Sequence, residues 1–336
     1  MGMPGKYIYG IINSGEEILR TDDEYGIYTI PFQDISAVVS DSEIIDYRHL
    51  PGGIIAQHLV RHQVVIEKVM KNFNVIPMRL GTFLLNMYEV EQVLRKGKDI
   101  IKEIFNQIRN RIEMDVTATW SDINMIIKEV AEEEEIKTLR QELLNKKEGV
   151  TTDEQIKIGF LIKSCLNERK MKYAGIILDA IKIVSESHKS YECTDDTMIV
   201  NVACLINKDV QSGFEEKLEK LSGNFENKVK FRSIGPLPAY SFYTLEIKKI
   251  KPSDIDWAAK KLGLTSFATW DDIKKAYKSC AFMCHPDKQA DTKMAEIEYN
   301  EITRAYKLLS EYCKHDTCSF SEEDVAANTV SIRVRE

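Results

Sequence analysis

The sequence predicts an α+β chain: two mixed α/β domains, the second ferredoxin-like, with a helical hairpin between them and an all-α module at the C-terminal end. Three observations carry that expectation. Short Tyr-, Ile- and Val-rich runs alternate with long helical patterns up to about residue 120. A nearly unbroken helical pattern then fills Ile123 to Ser187. Two apolar helical stripes separated by His285-Pro286-Asp287 follow near the C-terminal end.

Tyr7–Ile12, Gly26–Ile30 and Ile35–Ser40 have strand composition and are punctuated by Gly, Asp and Ser. From about Ile54 to Phe73, the residues Ile55, Leu59, His62, Ile66, Val69 and Phe73 recur in steps of three and four, which places them on one helical stripe. Val75–Met78 and Thr82–Leu84 read as short extended pieces around Gly81. A second helix is expected from Tyr88 to Ile112, with Asp115–Trp120 as the strand that closes a domain over 1–120.

The second domain, 121–250, begins with the helical hairpin, its later helix starting at the cap Thr151-Thr152-Asp153-Glu154. The charge runs Glu132–Glu135 and Lys146–Glu148 are solvated faces of these helices. Met198–Ile206 reads as a central strand, Val210–Leu221 as a helix, and Lys228–Ile234 and Phe242–Ile247 as further strands. Between the last two, Gly235-Pro236-Leu237-Pro238-Ala239-Tyr240 forms a rigid turn, because two prolines fix φ and remove donors.

Residues 251–318 form the helical module and 319–336 a poorly patterned, mobile tail. Ile273, Ala276, Tyr277, Cys280, Ala281 and Cys284 line one helix face, and Ile302, Ala305, Tyr306 and Leu309 another. Pro286 stops the first helix, so the two make an antiparallel hairpin.

Composition narrows the function. A net charge of −7 excludes a general nucleic-acid binder, which needs a basic field to release phosphate counterions. No run approaches the roughly 20 apolar residues of a membrane span, and the N-terminus lacks the apolar core of a signal peptide. Seven cysteines without an export signal read as reduced thiols in a cytoplasm.

Chemistry-bearing clusters are few. Cys280, Cys284, His285, Cys313, His315 and Cys318 have metal-ligand chemistry, but Cys280 and Cys284 fall on the apolar stripe and no Cys-x-x-Cys pair occurs. His58 and His62 lie one helical turn apart, yet Leu59 stands where a zinc protease needs its glutamate, and His62 reads as a core residue. There is no phosphate-binding glycine loop and no Gly-x-Ser-x-Gly elbow. No enzyme activity, cofactor or metal is expected.

Two resemblances sharpen the reading. Tyr7-Ile8-Tyr9-Gly10-Ile11-Ile12, the helix with His62, Val65 and Ile66 leading into Val75-Ile76-Pro77-Met78-Arg79-Leu80-Gly81-Thr82, and the block Gly235-Pro236-Leu237-Pro238-Ala239-Tyr240-Ser241-Phe242 resemble gas vesicle proteins F and L over residues 6 to 250. The family pattern carries Trp and Pro where this chain has Leu237 and Ala239, while Gly81, Gly235, Pro236, Pro238 and Tyr240 match as structural motif residues.

Leu262-Gly263-Leu264, Asp272–Tyr277, His285-Pro286-Asp287-Lys288 and Ala305–Ser310 resemble, in order, a J domain of the DnaJ family. That resemblance implies docking to a DnaK-type chaperone and stimulation of its ATPase, with His285, Pro286 and Asp287 at the turn and Lys274, Lys275 and Lys278 on the basic helix. Ser279 and Met283 occupy places where the family often carries positive charge. The module holds eleven basic and eleven acidic residues, so its steering field is weak.

Together the resemblances imply a cytoplasmic, gas-vesicle-associated assembly protein. Its partners would be the hydrophobic shell subunit, other gas vesicle accessory proteins and a DnaK-type chaperone. The alternative is a general J-domain co-chaperone whose N-terminal region binds unrelated clients.

Overall fold

The computed structural model describes residues 3–16, 25–145, 150–225, 227–249, 251–284, 292–313, 317–321, 324–325 and 330–335. In chain order its α-helices and β-strands are β1 (Pro4–Ile12), β2 (Tyr28–Phe32), β3 (Ile35–Glu43), α1 (Gly52–Met70), β4 (Val75–Pro77), β5 (Phe83–Leu84), α2 (Met87–Ile108), β6 (Arg111–Trp120), α3 (Ile123–Ala131), α4 (Glu134–Leu144), α5 (Thr152–Val184) and β7 (Ser187–Ser190). There follow β8 (Met198–Asn207), α6 (Gln211–Gly223), β9 (Val229–Leu237), α7 (Tyr240–Tyr243), β10 (Leu245–Lys249), α8 (Pro252–Lys261), β11 (Phe267–Ala268), α9 (Trp270–Met283), α10 (Thr292–Tyr312), β12 (Cys318–Ser319) and β13 (Val330–Val334).

The chain divides into two units. The first comprises 1–58, 78–102 and 245–336; the second comprises 59–77 and 103–244.

In the first unit β3 lies between β2 and β1, antiparallel to both, and β5 pairs with β1. Ile8, Ile11, Ile12, Ile30, Ile35 and Val39 are buried on these strands, as are Val90, Leu94 and Ile101 on α2. The C-terminal residues are not an unpatterned tail throughout. Val330, Ile332 and Val334 alternate with Ser331 and Arg333, the period of a strand, and β13 pairs antiparallel with β10. Ile332 lies so close to α2 that a Cβ on Gly97 would meet its Cγ2 at 2.3 Å.

In the second unit the antiparallel sheet has the order β7-β8-β6-β9. Helices α3 to α5 cross over between β6 and β7, and α6 between β8 and β9, so the topology is the ferredoxin-like split βαβ arrangement. The strand membership departs from expectation. Helix α2 ends at Ile108, and Asn110 turns the chain with φ +57°. Strand β6 therefore starts at Arg111, and rather than closing the first domain it is central here, pairing Val116 with Val202 and Ser233. Met114, Val116 and Ala118 point into the core with Val202, Cys204, Phe214 and Val229.

Other boundaries shift as well. The hairpin is three helices, α3, α4 and α5, the last opened by a capping box between Thr151 and Glu154. Phe242–Ile247 is not one strand but α7 followed by β10, which belongs to the first unit. On α1, His62, Val65 and Ile66 are buried, whereas Leu59 is 48% exposed despite its place on the apolar stripe.

The expectation of reduced thiols fails for one pair. Cys313 and Cys318 form a disulfide across a Cα–Cα separation of 5.7 Å, an ordinary bridging distance. Cys165, Cys193, Cys204, Cys280 and Cys284 are free.

Candidate functional site

The C-terminal module is built around α8, α9 and α10. Ile255, Ala258, Leu262, Ile273, Ile302, Ala305 and Leu309 form its buried core, with Cys280 and Cys284 packed partly buried against it. Rings add to the contact between α9 and α10: Tyr277 and Tyr306 stack at 4.3 Å and Trp270 and Tyr306 at 6.1 Å. Lys261 on α8 reaches Glu298 at 2.8 Å and Glu301 at 2.6 Å on α10, and those hydrogen bonds raise its pKa.

Helix α9 starts with a reciprocal cap. Thr269 Oγ1 accepts from Asp272 N at 3.2 Å, while the Asp272 carboxylate accepts from Thr269 Oγ1 at 2.6 Å and from Thr269 N at 3.0 Å, the hydroxyl bond first and the backbone bond second holding its pKa below the ordinary value. Thr269→Ala is expected to destabilise α9 by about 1 kcal/mol. Thermal or urea melts of the full chain, with helicity read by circular dichroism, check this; an unchanged transition would mean the cap is idle.

The basic face has two exposed members and one engaged with its neighbours. Lys275 and Lys278 are exposed, whereas the Lys274 Nζ lies 4.9 Å from the Trp270 ring centroid and 3.9 Å from Asp271 Oδ1. Ser279 is exposed beside them, and Phe282 and Met283 end the helix 67% and 63% exposed. His285, Pro286 and Asp287 lie outside the described residues, as does His315. Among the described residues no cluster of three or more His, Cys, Asp or Glu is arranged to hold a metal ion.

The module is continuous with the first unit's strand pair. Lys248 on β10 bridges to Glu311 on α10. Glu246 on β10 takes Arg333 at 2.6 Å and Arg79 at 3.1 Å. Burial works to raise the Glu246 pKa, but the two guanidinium groups outweigh it and hold it low.

The remaining motif residues serve the backbone. Gly81, in the first unit, has φ +81°, and a Cβ there would stand 3.0 Å from the Tyr47 ring. Tyr47 in turn hydrogen-bonds His58 Nδ1 at 2.6 Å. Gly235 and Pro236, in the second unit, share a cis peptide inside β9 rather than a turn beyond it. Proline is tolerated there because β9 is an edge strand and its pairing with β6 shifts register between Glu113 and Asp115. The Pro238 carbonyl accepts from Tyr240 N at 2.6 Å. The Tyr240 hydroxyl is buried, and burial pushes its pKa up.

Sequence reading missed two groups that this segment covers. Glu113 is fully buried and accepts from Ser241 N at 2.8 Å and Ser241 Oγ at 2.7 Å. Burial raises its pKa to about 7, against the pull of those two bonds, and also raises that of neighbouring Asp115. The alternation Glu113-Met114-Asp115-Val116 puts both carboxylates on the face opposite the core, a signal hidden when the strand is started at Asp115.

The model of the gas vesicle synthesis protein GvpL/GvpF family matches residues 5–244. The chain belongs to the GvpL/GvpF family. A DnaJ domain is matched at residues 260–316.

Among relatives of this GvpL/GvpF chain, gas vesicle protein F of Nostoc sp. is 27% identical over 190 residues, 55% of this chain and 77% of that protein. Gas vesicle protein F2 of Halobacterium salinarum is 22% identical over 245 residues, 72% of this chain and 93% of that protein. The DnaJ region is 51% identical over 49 residues to chaperone protein DnaJ of Chlorobium phaeobacteroides, 15% of this chain and only 12% of that chaperone. The crystal structure of gas vesicle protein GvpF from Anabaena superposes with a TM-score of 0.60 at 23% identity, covering 71% of this chain and 98% of that one, which shows a shared fold. Among the described residues no helix is long and apolar enough to cross a membrane.

Proposed function

We propose that this GvpL/GvpF chain is a gas vesicle assembly factor that binds the hydrophobic shell subunit and recruits a DnaK-type chaperone to it through the C-terminal module. It works in the cytoplasm by binding rather than by catalysis, alongside other gas vesicle accessory proteins. The observation that carries the reading is the union in one chain of a GvpL/GvpF region at 5–244 and a DnaJ domain at 260–316. An apolar subunit that exposes large patches aggregates unless a partner covers it, so a binder joined to a recruiter of a folding ATPase acts on one client at one moment. The exposed Lys275 and Lys278 support attraction of an acidic chaperone surface. The match over 5–244 weighs against a general co-chaperone with an unrelated N-terminal region.

The test has two arms. The purified chain is expected to raise the ATPase rate of a DnaK-type chaperone, and His285→Gln to remove that increase while leaving the fold intact. No stimulation by the unmutated chain refutes recruitment. Separately, immobilised chain is expected to retain the gas vesicle shell protein in preference to other unfolded chains; equal capture of both favours the general co-chaperone.

A further inference from the structure

A cleft of about 290 Å³ opens at one end of the second unit's sheet, where the loop after α1, the turn between α2 and β6, and the start of α7 converge. Its walls include buried Val75, Ile112 and Ala239 together with Phe73. Three cations, Arg109, Arg111 and Lys208, also line it, and none of its described lining residues is acidic. Arg111 is already engaged, with Glu186 Oε2 at 2.5 Å and the Gln107 carbonyl. Arg109 and Lys208 are exposed and form no ion pair among the described residues.

Those two cations are placed by rigid turns. Asn110, with φ +57°, donates from Nδ2 to Asn207 Oδ1 at 3.0 Å and to Asp209 Oδ2 at 2.7 Å, while its carbonyl accepts from Lys208 N at 2.9 Å. The nearest neighbouring carboxylate in sequence, Asp209, is thus held by Asn110. Two cations without an ion pair among the described residues, beside a recess whose floor is part apolar, suit one anionic group with an apolar side chain next to it.

We propose that this cleft docks a short peptide segment of a protein partner in which a carboxylate adjoins an apolar side chain. The carboxylate sits between Arg109 and Lys208, and the neighbouring side chain fills the recess lined by Val75, Ile112 and Ala239. Inorganic phosphate satisfies the cations but gains nothing from the walls, and the volume lies at the lower limit of small-molecule pockets. The site is independent of the C-terminal module and of the chaperone reading.

Fluorescence polarisation of a labelled peptide with a Leu-Glu-Leu core, titrated with the full chain, tests the assignment. Saturable binding is expected, weakening as salt is raised and by about tenfold when the peptide Glu is replaced by Gln. Arg109→Glu and Lys208→Glu are each expected to weaken it by at least about tenfold, and the milder Arg109→Gln by less, with thermal melts unchanged because both side chains are exposed. No saturable binding, equal binding of the Gln peptide, or indifference to the charge reversals overturns the proposal. So does displacement of the peptide by inorganic phosphate at the concentration at which unlabelled peptide displaces it, since that marks a bare anion site.

Discussion

The folded chain is expected to lose stability as pH rises from about 5 to about 8, and Glu113→Gln to abolish most of that loss. Glu113 has a folded pKa of about 7 against an ordinary value of 4.5. The folded state therefore binds the proton more tightly than the unfolded state. Its stabilisation is fully present below the unfolded value and disappears as pH climbs through the folded one. Taken at 1.36 kcal/mol per unit, Glu113 alone accounts for about 3 kcal/mol between the two limits. Asp115 shifts in the same direction for the same reason, burial. Glutamine stands in for the protonated form: its amide oxygen accepts from Ser241, and it carries no charge at any pH. Urea melts of both proteins at pH 5 and pH 8 measure the difference; parallel losses in the two would show that Glu113 is not the group that titrates.

Gly235→Val is expected to destabilise the second unit by about 3 kcal/mol, through overpacking rather than lost contacts. A Cβ at this position would stand 2.4 Å from Met114 Sδ and 3.0 Å from the Glu113 carbonyl oxygen. Met114 is a buried core residue, and the carbonyl belongs to the strand that β9 pairs with, so neither gives way freely. The whole edge strand must lift, which also disturbs the Ser241 bonds to Glu113 that follow along the chain. Denaturant melts check this; a variant as stable as the parent would mean that the register shift absorbs a side chain. Gly213, whose Cβ would meet no neighbour, supplies the control position.

Local pattern carried the elements further than their partners. Tyr7–Ile12, Met198–Ile206 and the stripes through Ile273 and Ile302 are readable because burial imposes periods of 2 and 3.6 on apolar residues. Which sheet a strand joins is decided by pairings distant in sequence. Val116 opposite Val202 and Leu245 opposite Val334 leave no local mark, so Asp115–Trp120 reads as closing the first unit although it is central in the second, and Leu245–Ile247 reads into the second although it pairs in the first. The helical module was legible because its stripes are contiguous. The His285-Pro286-Asp287 turn falls outside the described residues, and Glu113 joins Asp115 on one strand face only when the strand starts at Arg111 rather than at Asp115. The cleft cations Arg109 and Lys208 had no signal at all, since two isolated basic residues become neighbours of one recess only after folding.

Lys249 and Val330 are register partners across β10 and β13, so the chain leaves the strand pair and returns to it through the same doorway. The J-type helices therefore form a cassette inserted within a β-ribbon rather than a pendant at the end of a leash. Cut out at that doorway and replaced by a two-residue turn such as Asn-Gly, the ribbon closes as an ordinary hairpin. Ile332 then keeps its seat against Gly97, and Arg333 its grip on Glu246. The DnaJ-type cassette can thus be removed, or traded for another, without unpicking the strand on which it is hung.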